Sequence, residues 1–186
     1  MLLKKLLFIF LGTILLSLSG CGFHLQGAMK LAPPFQKLYL QTNDPYGQLS
    51  RKLQQYLKMS NVQMVTNPND AQVILVILQD DMLKNLLSVN GTQQTRSYNI
   101  EVRVTFAVTD NKGRILIPAQ ALTESRVITV QSNQVLGSSN EASLLYQHMR
   151  NSLAYAIMNR LASKEISRLI TADYLQPKKI KKQPTL

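Results

Sequence analysis

Tyr98-Asn-Ile-Glu-Val-Arg-Val-Thr-Phe-Ala-Val-Thr109 is the stretch that decides the fold. Tyr98, Ile100, Val102, Val104, Phe106 and Val108 alternate with Asn99, Glu101, Arg103, Thr105, Ala107 and Thr109. A period of two places the first set on one face of an extended chain, so this is a strand with one buried side. Downstream, Asp110-Asn111-Lys112-Gly113 turns the chain, and Arg114 to Gln131 returns as another long strand. Pro118 cannot donate to a ladder, which marks an edge or a bulge there. Upstream, Gln72 to Leu78 is a continuous Val/Ile-rich run of the kind buried on both faces. Asp80-Asp81 interrupts it, and Leu83 to Val89 continues it to Asn90-Gly91. That dipeptide suits a tight type I′ hairpin, while the polar residues up to Thr95 suit a looser tip equally well. Three strands joined by two short turns make an antiparallel meander.

The rest of the chain supplies cover for that sheet. Phe35 to Gln41 reads as a short strand, and Asp44-Pro45 as a helix N-cap followed by proline at the first helical position. Leu49, Leu53, Tyr56 and Leu57 then recur at helical spacing over about residues 46–59. Val62 to Val65 is a brief extended piece before the Asn67-Pro68-Asn69-Asp70 turn. Ser138-x-x-Glu141 has the form of a capping box. After it, Leu145, Met149, Leu153, Ile157 and Leu161 recur every fourth residue, predicting one long helix over about 139–169. The expected fold is α+β: a two-layer sandwich of two helices packed on a mostly antiparallel four-stranded sheet.

The two ends of the chain are different in kind. Lys4 and Lys5 precede a run of almost wholly apolar residues from Leu6 to Leu18, too short to span a hydrocarbon core of roughly 30 Å. Residues 1–20 therefore read as a signal peptide. Leu18-Ser19-Gly20-Cys21 has the form of a bacterial lipobox, with Cys21 receiving S-diacylglycerol and then N-acyl chains such as palmitate. The competing reading is an ordinary secretory signal, but Cys21 is the only cysteine in the chain and stands at the required place. Residues 21–34, ending in Pro33-Pro34, read as a linker from the lipid anchor to a domain at 35–172. Residues 173–186, with Pro177-Lys-Lys-Ile-Lys-Lys-Gln-Pro184, read as a basic, disordered tail.

Composition removes most chemistries. One cysteine excludes an internal disulfide framework or thiolate metal site, and His24 and His148 form no ligand motif. His148 reads as a solvated helix residue, and Met149 and Met158 as core. Asp80-Asp81 is the only adjacent carboxylate pair, and Asp110 and Glu124 have no partner base nearby in sequence. No catalytic residue, metal or cofactor is expected, so the chain reads as a non-enzyme. In the 186-residue chain, 21 Lys+Arg against 10 Asp+Glu give +11. Loss of Lys4 and Lys5 with the signal leaves 19 against 10, or +9, and the four tail lysines carry four of these, leaving +5 elsewhere. Export, together with 6% aromatics and no tryptophan, argues against nucleic acid as a partner.

Leu18-Ser-Gly-Cys-Gly-Phe-His-Leu-Gln-Gly27, a lipobox fused to Cys21-Gly22-Phe23-His24-Leu25, resembles the start of the LptE family of LPS-assembly lipoproteins. The resemblance continues at Asn43-Asp-Pro-Tyr-Gly-Gln-Leu-Ser-Arg51, through the meander, and at Asn140-Glu141. It covers residues 18–170; Gln26 departs from it, an arginine being common before the glycine. It implies two helices on a four-stranded sheet, a partner in the LptD outer-membrane β-barrel whose lumen it plugs and whose assembly it assists, and lipopolysaccharide as ligand. Gly22, rather than aspartate, after the cysteine resembles the outer-membrane default, so the implied location is the periplasmic side of the outer membrane on a lipid anchor. In the meander, the tip near 90–96 and the strand end near 131–138 share one end of the sheet, where family contacts with lipid A are implied. Arg96 is the cation there, and guanidinium suits phosphate, although a lone arginine is also an ordinary solvated side chain. The alternative function is a lipid-anchored periplasmic binding or chaperone module unrelated to lipopolysaccharide export.

Overall fold

The computed structural model describes Lys5 and residues 29–91, 95–131 and 137–175. Strand β1 (Lys37–Gln41) leads to helix α1 (Gln48–Met59), the short β2 (Gln63–Met64), and the long strands β3 (Val73–Val89), β4 (Thr95–Asp110) and β5 (Ile115–Gln131). Helices α2 (Gly137–Leu161) and α3 (Lys164–Leu175) follow. The sheet order is β2-β1-β3-β4-β5. β1 runs parallel to both β2 and β3, whereas β3, β4 and β5 form the antiparallel meander.

The α+β class and the meander stand; two details of the expected fold do not. The sheet has five strands and is mixed, because Gln63 and Met64 pair with Lys37 and Leu38. The expected C-terminal helix is two helices. At Ala162-Ser163 the chain turns, and the Ser163 hydroxyl accepts from the Ile166 amide at 3.3 Å, starting α3 afresh. Serine competes for local backbone donors in this way, and across it the apolar spacing of four steps to five, from Leu161 to Ile166, before resuming at Ile170.

One core lies between sheet and helices. Leu38, Val73, Leu75, Ile77, Ile100, Val102, Val104, Phe106 and Val108 meet Leu49, Leu53 and Leu57 of α1 and Met149, Leu153, Ile157, Met158 and Leu161 of α2. Tyr56 and Tyr155 clasp the two helices edge to face, centroids 6.1 Å apart. α1 begins later than its sequence suggests. Gly47 is the N-cap, while Asp44-Pro45 forms a turn held by Ser50 Oγ donating to the Asp44 carbonyl at 2.6 Å. A Cβ on Gly47 would stand 2.3 Å from an Asp44 carboxylate oxygen, so a larger residue would displace that side chain. Residues 33–36 form a 3-10 turn that buries Pro34 and Phe35, so β1 starts at Lys37. Met29, Leu31 and Ala32 also pack on the core, which therefore claims the last part of the stretch read as a linker.

β3 is continuous through Asp80-Asp81. A bulge between Ile77 and Gln79 leaves Leu78 as an extra residue and reverses which side chains face the helices. Before it, Val73, Leu75 and Ile77 face the core; after it, the register puts Asp80, Met82, Lys84 and Leu86 on that side, opposite Val104, Val102, Ile100 and Tyr98. Pro118 marks a second irregularity: Val108 pairs with Ile117 but Phe106 with Gln120, so the edge strand β5 bulges there.

Candidate functional site

The candidate surface follows from unequal strand lengths. β1 pairs with β3 only from Val73 to Val76, while β3 runs on to Val89. The meander thus projects as a three-stranded extension beyond β1, with its tip at residues 90–95. Asn90 closes that tip: its amide donates to the Thr95 carbonyl at 3.0 Å and its side-chain oxygen accepts from the Thr95 amide at 3.0 Å. A two-residue turn at Asn90-Gly91 is thus not what joins these strands, in keeping with the looser alternative.

The two faces of the extension differ in chemistry. The face away from the helices is mostly polar where β4 and β5 meet, with exposed Val127 of β5 and Leu83 of β3 among its polar groups. Ser125 Oγ donates to Asn99 Oδ1 at 2.7 Å, the Ser97 and Thr129 hydroxyls are bonded at 3.2 Å, and Arg103 holds Glu101 at 2.8 Å. The helix-side face combines apolar and cationic groups. Met82, Leu86 and Val89 are exposed there, the Lys84 ammonium lies 4.1 Å from the Tyr98 ring centroid, and exposed Arg96 stands between Val89 and Val130. Arg126 shares this face but is held by Glu124 at 2.7 Å. Arg96 has no carboxylate partner among the described residues, and Lys84 rests on a ring rather than an anion. Two cations beside half-exposed apolar side chains can meet a ligand with anionic and hydrocarbon parts.

Arg96 is therefore where the sequence placed it, at the tip end. Lys84 was missed. It lies twelve residues away in sequence, and only the register, which sets it opposite Ile100, brings it to the same face. Cys21, His24, residues 92–94, 132–136 and the lysine tail lie outside the described residues, as do the Ser138 and Glu141 side chains.

A second feature sits where β1 leaves the edge of β3. A cleft of about 290 Å³ opens between Thr42–Asp44, Gly47, Ser50 and residues 77–81. Its wall includes the Asp80–Arg150 pair, in which Arg150 Nε donates to both carboxylate oxygens at 3.1 Å. Arg150 ties α2 to the strand extension, and Asp80 is not a free carboxylate. Asp81 accepts from the Gln79 side chain. Asp110 is used up within the β4–β5 turn, accepting from the Lys112 and Arg114 amides at 2.9 and 2.8 Å and from Arg114 Nε at 3.1 Å. His148 is exposed, and Met149 and Met158 are buried in the core. The described residues contain no group of three His, Cys, Asp or Glu side chains placed to hold a metal, and no helix long and apolar enough to cross a membrane.

Comparison with known proteins agrees with this architecture. Residues 35–161 match the family model LptE, lipopolysaccharide-assembly. An LPS-assembly lipoprotein LptE of Yersinia enterocolitica is 31% identical over 163 residues, covering 84% of this chain and 75% of that one. Among solved structures, the rare lipoprotein B of Shewanella oneidensis is 27% identical with a TM-score of 0.56, covering 70% of this chain and 97% of its own. A minor lipoprotein of Acinetobacter baumannii is 25% identical with a TM-score of 0.58, covering 70% and 93%.

Proposed function

The chain belongs to the LptE family of lipopolysaccharide-assembly proteins, and from that premise we propose that it is a non-catalytic, lipid-anchored subunit of the lipopolysaccharide translocon. Cys21 carries the acyl chains and holds the domain at the periplasmic side of the outer membrane; several acyl chains give a stable anchor where one does not. The domain seats in the lumen of an LptD-type β-barrel, assists its assembly, and contacts lipopolysaccharide on its way to the outer leaflet.

One observation carries this reading: a long strand extension with a mostly hydrogen-bonding face on one side and a face that pairs apolar side chains with unpaired cations on the other. The lumen of a membrane barrel is lined by polar groups, and the field of Asn99, Ser97, Ser125 and Thr129 is suited to exchange hydrogen bonds with such a wall. Lipopolysaccharide presents phosphates beside acyl chains, and Arg96 and Lys84 stand beside Leu86 and Val89. A guanidinium offers two parallel donors to a phosphate, and an ammonium adds a point charge. Purification of the anchored protein from outer membranes tests the assignment. A stoichiometric large β-barrel in the eluate is the expected result, and a monomeric domain free of any barrel contradicts it.

A further inference from the structure

The charges of the domain are not spread evenly along the sheet. At the end opposite the β3–β4 tip, β1 starts at Lys37 beside Gln63 of β2, Leu38 pairs with Val73, and Val73 faces Asp110. The last turn of α1, with Lys58, leads into β2 there, and the β4–β5 turn carries Lys112. Asn111 Nδ2 donates to the Asn69 carbonyl at 3.4 Å, which ties that turn to the Pro68–Asp70 bend. α3, with Lys164 and Arg168, packs against the Pro33–Gln36 turn, and Lys30 lies just before that turn. With Arg114 and Arg160, this end holds eight cations against four carboxylates, Asp70, Asp110, Glu165 and Asp173, while the rest of the domain has seven against six. Asp110 is taken by Arg114 at 3.1 Å and Glu165 by Arg160 at 2.8 Å. Lys30, Lys58, Lys112, Lys164 and Arg168 are exposed and have no carboxylate partner among the described residues.

We infer that this basic end docks on an anionic phospholipid surface, its ammonium groups against the headgroup phosphates. The inference rests on the reading of Cys21 as the acylated anchor, because the tether leaves the domain from the same end. Cys21 is eight residues before Met29, a reach of at most about 28 Å. Attraction between a lysine and an anionic leaflet falls off within a Debye length, about 8 Å at physiological salt. Only the end that the tether keeps close can gain from it. Lys84 stands eleven residues along β3 from Val73, about 36 Å away, and is out of that range. A tether alone leaves a domain free to roll on the leaflet. Long lysine stems that reach several headgroups at once give it one upright orientation, with the strand tip pointing away from the lipid. This is the state of the anchored chain before it meets a barrel.

The test uses the mature acylated chain in vesicles of phosphatidylcholine alone, or of phosphatidylcholine with phosphatidylglycerol, without lipopolysaccharide or a barrel. After flotation, amines are labelled briefly with an acetylating reagent and read lysine by lysine by mass spectrometry. On anionic vesicles Lys30, Lys58, Lys112 and Lys164 should label about fivefold more slowly than on neutral ones, the equivalent of about 1 kcal/mol per lysine. Added salt should remove the difference, and Lys84 should label alike on both. Lys112→Glu with Lys164→Glu changes two exposed, unpaired side chains, so the variant should keep the parent melting temperature. It should also restore fast labelling of Lys30 and Lys58 on anionic vesicles. A chain that floats with neither vesicle overturns the anchor reading, and the inference with it. A chain that floats with both, but labels equally on both, overturns the inference alone. Uniform slowing that includes Lys84 also overturns it, because it shows a response to charge without a docked end. Protection of these lysines only in a barrel complex overturns it as well and gives the end to an acidic protein surface.

Discussion

Replacing Lys84 and Arg96 together by alanine tests the ligand-facing surface. Both side chains are exposed and neither is bonded to a carboxylate, so their charges are available to an incoming phosphate. A cation near an anionic lipid surface contributes about 1 kcal/mol. Two of them amount to about 2 kcal/mol, or roughly 30-fold in affinity. Lys84 also rests on Tyr98, but an exposed cation–π contact contributes only about 0.5–1 kcal/mol, so the fold should survive. The assay is binding to lipopolysaccharide micelles at low and at high salt, alongside a thermal melt. The control is Arg103→Ala with Arg126→Ala, which removes the same charge from residues already held by Glu101 and Glu124. The expected outcome is a loss of about 30-fold at low salt for the first pair, shrinking at high salt, with a much smaller loss for the control. Equal losses in both would show a diffuse response to net charge and refute the site.

Three further outcomes are expected. Asp110→Ala should lower stability by about 2 kcal/mol, read by denaturant unfolding, because the turn amides of Lys112 and Arg114 and the Arg114 guanidinium lose their acceptor. Cys21→Ala should abolish fatty-acid incorporation and leave the precursor uncleaved, and normal acyl labelling of that variant would remove the anchor assignment. Deleting residues 177–186 removes Lys178, Lys179, Lys181 and Lys182. Unchanged melting with weaker, less salt-sensitive binding to lipopolysaccharide micelles would assign those lysines to an anionic surface, and equal binding at all salts would make the segment inert.

Much of the fold was legible because its signals are periodic. The alternation over residues 98–109 names β4 and its buried face, and Leu49, Leu53 and Leu57 name the core side of α1. What the sequence hid are the places where one residue shifts a period. Leu78 as a bulge residue reverses the facing of β3, so Asp80-Asp81 looked like a break in a strand that in fact continues. Ser163 restarts a helix where the apolar pattern shows only a single step of five, from Leu161 to Ile166. Two-residue β2 is too short to carry any period. The site was legible to the same degree. Arg96 follows from meander topology alone, whereas Lys84 and the Asp80–Arg150 tie depend on register and on contact between residues seventy positions apart.

Site-specific photocrosslinking in living cells tests the central claim most directly. Photoreactive residues are placed at Arg51, Thr105 and Asn151 of the anchored protein, on α1, on the polar face of the sheet, and on α2. Thr105 lies on the polar side of β4, opposite Ala121 of β5. The expected result is one large outer-membrane β-barrel captured from the positions that face its lumen, Thr105 foremost. Adducts scattered over many small periplasmic partners, with no barrel among them, would contradict the account.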